Sequence, residues 1–169
     1  MARVAVGAKR ATVDPLKHSQ PLGAALAFLG VARCMPLFHG VQGCTAAAKA
    51  LLTRHFREPV PVQTTAITQV SAVIGSTDSL LAALETIRTR HRPDVIGVLT
   101  TGVTEVNGED CAGTLRSYQA DRHARGGPLI VATSTPDFRG GLSDGWSAAL
   151  TALVTSDLPA GIRTDAGPE

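Results

Sequence analysis

The sequence predicts a doubly wound α/β domain: a mostly parallel, four-stranded sheet with helices on both faces. Three observations predict it. Apolar runs and amphipathic segments alternate, in the order helix, then strand and helix repeated four times. Asp94 to Thr100 reads D-V-I-G-V-L-T, the continuous apolar run of a strand buried on both faces, and it is expected to be central. Alanine, glycine, valine and leucine dominate the composition, which suits helices packed closely on a parallel sheet.

The elements follow in order. Residues 1–14 are weakly patterned and read as an N-terminal arm, and Asp14-Pro15 is a turn signal. The domain is expected to span 15–155. Proline at position 21, then alanines and leucines closed by Gly30, reads as a short buried helix. Val31 to Phe38 is the first strand, and Pro36 places it near an edge or near its own end. Thr45 to Arg57 is a strong helix that Glu58-Pro59 terminates. Val60 to Thr65 is a second short strand, and Ile67 to Gly75 has no decisive pattern. Ser76 or Thr77 caps a helix over 78–91, with Leu80, Leu81, Leu84 and Ile87 on one face. After the Asp94–Thr100 strand, Gly102 to Asn107 reads as a loop and Glu109 to His123 as a helix. Leu129 to Thr133 is another parallel strand, 136–143 a glycine-rich loop, and Asp144 to Val154 the last helix. Residues 156–169 are polar, rich in Gly, Pro and Asp, and expected to be disordered.

Bulk properties exclude several functions. A net charge of +2 gives no basic surface for nucleic acid, and 4% aromatic residues give no stacking platform for bases. No apolar run reaches membrane-spanning length, and Met1 to Arg10 lacks the apolar core of a signal peptide. The three cysteines, Cys34, Cys44 and Cys111, are odd in number and form no C-x-x-C pair. That argues against a disulfide framework or a self-contained zinc site, and for a reducing cytosol.

Chemistry concentrates in Met35 to Thr45, M-P-L-F-H-G-V-Q-G-C-T. It reads as a strand, a turn with two glycines, and a cysteine at the mouth of a helix. Gly40 and Gly43 are expected to take positive φ and to let a bulky group approach. The helix N-terminus is expected to lower the Cys44 thiol pKa toward the thiolate, the form that ligates metals. From spacing alone, a small buried cysteine remains the alternative. In doubly wound sheets ligands bind beyond the carboxyl ends of the strands, where the His39–Cys44, Gln63–Thr65, Thr100–Glu105 and Ser134–Arg139 loops converge.

Five segments together resemble one family: H-S-Q-P-L-G-A from His18, Met35 through Thr45, R-H-F-R-E-P from Arg54, Q-T-T-A from Gln63, and S-T-P-D-F from Ser134. The sequence is similar to the first of three domains of nitrogenase component-1 subunits, from about Pro15 to Leu153. Catalytic β-type subunits of that family bind the P-cluster with three cysteines in these motifs. Here the first position is Ser19, the third is Gly102, and Cys44 alone is kept. The resemblance therefore implies a subunit, or an N-terminal fragment of one, from the cytoplasmic scaffold that assembles the iron–molybdenum cofactor, and not an enzyme in its own right. Cys44 would be this chain's single ligand to an interfacial 4Fe–4S cluster, with His39, Gly43 and Ser19 around it. Implied partners are a larger homologous scaffold subunit in a heterotetramer and the nitrogenase iron protein. The full complex would hold an iron–molybdenum cofactor precursor transiently. Two alternatives stand beside it: a β-type subunit of a nitrogenase-like reductase, and a non-catalytic α/β interaction domain that binds at most a small anion at the Gly40–Thr45 turn.

Other residues have readings of both kinds. Ser19 caps the following helix or lines the cluster pocket with His18. His39 bonds backbone or donates to cluster sulfur. Thr100, Thr101 and Thr104 bond locally or face the cluster. Arg54, His55, Arg57 and Glu58 form a solvated helix end or a subunit contact. Cys34 and Cys111 are expected to pack. Asp137 and Asp144 flank a glycine loop with no evident partner.

Overall fold

The computed structural model describes residues 19–123 and 126–156. The arm read at 1–14, His18, and all of the 156–169 tail except Ser156 lie outside them. Four strands form one parallel sheet: β1 (Cys34–His39), β2 (Gln63–Thr64), β3 (Val95–Thr100) and β4 (Leu129–Thr133). Their order across the sheet is β2-β1-β3-β4, so β3 is an inner strand as its apolar run predicts.

Helices cover both faces. On one face α1 (Gln20–Leu29), α2 (Gln42–Phe56) and the last helix, α7 (Leu142–Thr155), bury Phe38, Leu99 and Val131. On the other, α4 (Thr77–Arg90) and α6 (Cys111–His123) bury Leu37, Val98 and Ile130. Adjacent residues of each strand thus feed opposite cores, which is why the strands read as unbroken apolar runs. Two further short helices, α3 (Gln69–Ile74) and α5 (Gly102–Asn107), sit after β2 and β3.

Several sequence expectations need correction. β1 is not an edge strand: it lies between β2 and β3. Pro36 is tolerated there because backbone groups alternate between neighbours. Phe38 turns its carbonyl to Thr65, beyond β2, so Pro36 faces that side too, where pairing starts only at Leu37. β2 is two residues long instead of six, since Pro59 and Pro61 have no amide to donate to a ladder. The loop read at 102–107 is α5, and the undecided 67–75 segment contains α3. Both helices start with hydroxyl caps: Thr68 and Ser71 each accept the other's amide, and Thr104 accepts the Thr101 amide. α2 begins at Gln42, three residues earlier than Thr45.

α1 is buried along eight of its ten residues. Ser19 caps it, its hydroxyl accepting from the Leu22 amide at 3.3 Å. α1 and α7 cross at glycines: a Cβ at Gly145 would lie 1.9 Å from the Gln20 carbonyl oxygen, and one at Gly23 1.9 Å from that of Leu142. Gly145→Ala is therefore expected to force the helices apart and cost about 1–3 kcal/mol, read from urea unfolding midpoints. An unchanged midpoint would show that the crossing is loose.

Candidate functional site

Three segments meet on the face that carries α1 and α2. Cys44 is the third residue of α2, its amide bonded to the Val41 carbonyl at 3.2 Å. Val41 supplies no side-chain cap, and the first turn holds no acid. Asp137, from the loop after β4, accepts the first amide of α1, Gln20 N, at 3.1 Å, and the Ser19 hydroxyl bonds the same carboxylate. Asp137 also acts on the Cys44 thiol. The structure thus gathers Ser19, Cys44 and Asp137. Asp137 is the member that spacing could not supply. Its one sequence signal is the S-T-P-D-F segment that carries it.

The electrostatics correct one expectation. Burial pushes the Cys44 thiol up, and the Asp137 charge pushes it further; only a backbone hydrogen bond opposes them. The helix N-terminus does not win, so the thiol keeps its proton until a metal or stronger base takes it. Asp137 is itself held up by burial, against the hydrogen bonds from Gln20 and Ser19. Replacing Asp137 with Asn keeps an acceptor for Gln20 and removes the charge. The alkylation of Cys44 by iodoacetamide is then expected to speed up at neutral pH, its pH–rate curve moving to lower pH. An unmoved curve, followed on the Cys44 peptide by mass spectrometry, would mean that Asp137 does not act on the thiol.

Neither glycine of the turn takes positive φ, contrary to expectation. Gly40 is required for packing instead: a Cβ there would lie 2.2 Å from the Thr101 hydroxyl oxygen. Nothing lies within 4 Å of a Cβ at Gly43 or Gly102, so the backbone beside Cys44 and at the start of α5 is open. His39 is fully buried, and its ring bonds Thr65 and Ser76 on the α4 and α6 face of the sheet, away from the face where α2 packs. Thr101 and Thr104 donate to the His39 carbonyl, and Thr135 donates to that of Thr100. These hydroxyls are thus engaged by backbone carbonyls distant in the chain, and Thr104 bonds the Thr101 carbonyl as well.

Cys34 and Cys111 pack into the two cores. Burial raises the Cys34 thiol to about 11. Burial and the neighbouring Glu109, Glu105 and Asp110 raise Cys111 to about 12. Arg54, His55, Arg57 and Glu58 are exposed. Among the described residues no group of three or more His, Cys, Asp or Glu side chains is placed to hold a metal ion. The residues present fit one corner of a shared iron–sulfur cluster, through the partly exposed Cys44 thiol and the open backbone next to it, and not a whole one. No helix of the described residues is long and apolar enough to cross a membrane.

Known proteins resemble this chain in sequence and fold. The family model described as nitrogenase component 1 type oxidoreductase matches residues 19–164. The chain is 45% identical over 166 residues to a nitrogenase iron-molybdenum cofactor biosynthesis protein NifN of Mesorhizobium japonicum, covering 97% of this chain and 36% of that protein. It is 47% identical to the protein of that name from Rhizobium meliloti, covering 91% and 35%. The chain therefore spans about a third of the length of the curated relatives it matches. A solved structure of nitrogenase Cp1 at pH 6.5 superposes with a TM-score of 0.77 at 30% identity, over 91% of this chain and 32% of that one. The match spans all of the described residues, so the chain belongs to the nitrogenase component 1 type oxidoreductase family.

Proposed function

We propose that the chain serves in the scaffold on which the iron–molybdenum cofactor of nitrogenase is built. The observation that carries this reading is the 45–47% identity to NifN proteins over more than nine-tenths of the chain. In this reading residues 15–155 are one α/β domain of a cytoplasmic NifN-type subunit. Its partners are a larger, NifE-like subunit, with which it forms a heterotetramer, and the nitrogenase iron protein. Cys44 gives a single thiolate to a 4Fe–4S cluster at the subunit boundary, and the partner supplies the remaining ligands. The cluster supplies one-electron chemistry, while the assembled complex holds a cofactor precursor in passing.

The site's own residues have definite tasks. Asp137 and Ser19 fix the N-terminus of α1 beside Cys44, and the open backbone at Gly43 leaves room for a bulky inorganic group. Burial, reinforced by the Asp137 charge, raises the thiol, which keeps the empty chain from presenting a reactive thiolate. A second reading, a β-type subunit of a nitrogenase-like reductase, is favoured by the 30% identity to nitrogenase Cp1. Against it, Ser19 is engaged as a helix cap and Gly102 has no ligand atom.

Anaerobic co-expression with the larger scaffold subunit tests the proposal. Expected are a brown complex, stoichiometric iron and a paramagnetic signal on reduction, without substrate reduction. Substrate turnover would favour the reductase. A colourless, iron-free complex would leave only a non-catalytic interaction domain.

A further inference from the structure

Four loops at the carboxyl end of the sheet converge on His39, which is 0% exposed. Its Nε2 lies 3.1 Å from the Ser76 hydroxyl at the start of α4, and its Nδ1 3.2 Å from the Thr65 hydroxyl beyond β2. Ser76 also bonds the Glu109 carboxylate, just before α6. Thr101 and Thr104, which cap α5, donate to the His39 carbonyl.

The chemistry of these groups fixes the protons. Ser76 has one hydroxyl proton, and the Glu109 carboxylate, having none, takes it. The Ser76 oxygen must then accept from His39, so Nε2 carries the ring proton. Nδ1 is left as an acceptor, and the Thr65 hydroxyl fills it. The bonds run in one direction, from Thr65 through His39 and Ser76 to Glu109. Such chains polarise one another and rigidify their surroundings.

Thr65 has a second choice. Its oxygen accepts from the Gly40 amide at 3.0 Å and lies 3.4 Å from the Gly40 carbonyl oxygen. If Nδ1 gains a proton, the hydroxyl can turn, accept from Nδ1 and donate to Gly40. Every group then stays satisfied, with Nε2 still bonded to Ser76. We propose that Thr65 and His39 form a proton-operated toggle, in which protonation of the ring swings the Thr65 hydroxyl onto the Gly40 carbonyl at the root of the turn that leads into α2. This goes beyond the cluster reading and does not depend on it.

The charged group that faces the ring is Glu109, from the loop before α6, 3.5 Å from Nε2; the ring nitrogens themselves bond the hydroxyls of Thr65, just beyond β2, and of Ser76, just before α4. Complete burial of the ring outweighs that carboxylate and keeps His39 neutral near pH 7, below its ordinary pKa. At neutral pH the toggle therefore rests with Thr65 on the ring.

Nuclear magnetic resonance of the ¹⁵N-labelled full chain tests this, with the His39 resonances identified among the five histidines by His39→Gln. The neutral ring should be the Nε2–H tautomer, with a midpoint below 6.5. Thr65→Val removes the acceptor that the charged ring needs and should weaken proton binding by about tenfold, while Thr65→Ser should restore it. A purely structural threonine would leave the midpoint unmoved in both. An Nδ1–H tautomer in the natural chain, or a natural midpoint in Thr65→Val, would overturn the proposal. Should Thr65→Val fail to fold, the tautomer of the natural chain decides alone.

Discussion

Cys44→Ala should strip the heteromeric complex of its cluster signal while leaving the domain folded. The thiol is half-buried at the third position of α2, so alanine leaves little empty volume and improves local helix propensity. The proposed cluster, by contrast, would lose one of its four usual ligands and expose an iron to water. Iron content and the paramagnetic signal of the reduced complex should fall sharply, while co-purification of the subunits persists. Cys34→Ala and Cys111→Ala give the control. Both thiols pack into cores and keep their protons, so each should cost about 1 kcal/mol of packing and no iron. Natural iron content in Cys44→Ala, or loss in either control alone, would defeat the assignment. The alternatives separate here too: an interaction domain shows no iron dependence on any cysteine, and a reductase subunit would couple the loss to turnover.

The parts of this molecule that were legible in the sequence are those in which one physical signal dominates. Asp94 to Thr100 is apolar without a break because it is buried on both faces, and it forms the inner strand β3. The helix over 77–90 shows a clean apolar stripe, and Leu80, Leu84 and Ile87 are buried along it. What sequence reasoning missed either lacked the usual local signal or depended on a partner distant in the chain. α3 and α5 are capped by Ser71 and Thr104 at the position where a reader looks for Glu or Gln, and Val70, Val73, Ile74 and Val106 on them are exposed, so no periodicity marked them. The residue that precedes α2 at its N-cap, Val41, offers no capping side chain, so the helix's first turn was invisible. The site shows the same division. Cys44 stood out through its glycine turn. The charge that adds to burial in raising its thiol, Asp137, lies 93 positions later and meets it only because α1 and the loop after β4 close over the same face.

Phe28→Ala is expected to be among the most destabilising single changes in the chain, at about 3–5 kcal/mol. The ring is fully buried between α1 and the sheet and lies over Gly97 in the middle of β3. A Cβ at Gly97 would come within 2.4 Å of the Phe28 ring, so the glycine exists to let the aromatic reach the strand backbone. Losing the ring opens a cavity that the neighbouring inner strands cannot collapse to fill. Against a total stability of about 5–15 kcal/mol, that loss should lower the melting temperature by about 10 °C. The converse change, Gly97→Ala, overpacks the same spot and should cost about 1–3 kcal/mol. The two are coupled through one volume: in Phe28→Ala with Gly97→Ala, the new methyl enters the space the ring has left. The double variant should therefore lose clearly less than the sum of the singles, measured by urea unfolding at constant slope. Simple additivity would show that the ring and the strand do not share that contact, and with it would fall the account of how α1 is seated and how Ser19 is brought to Asp137 beside Cys44.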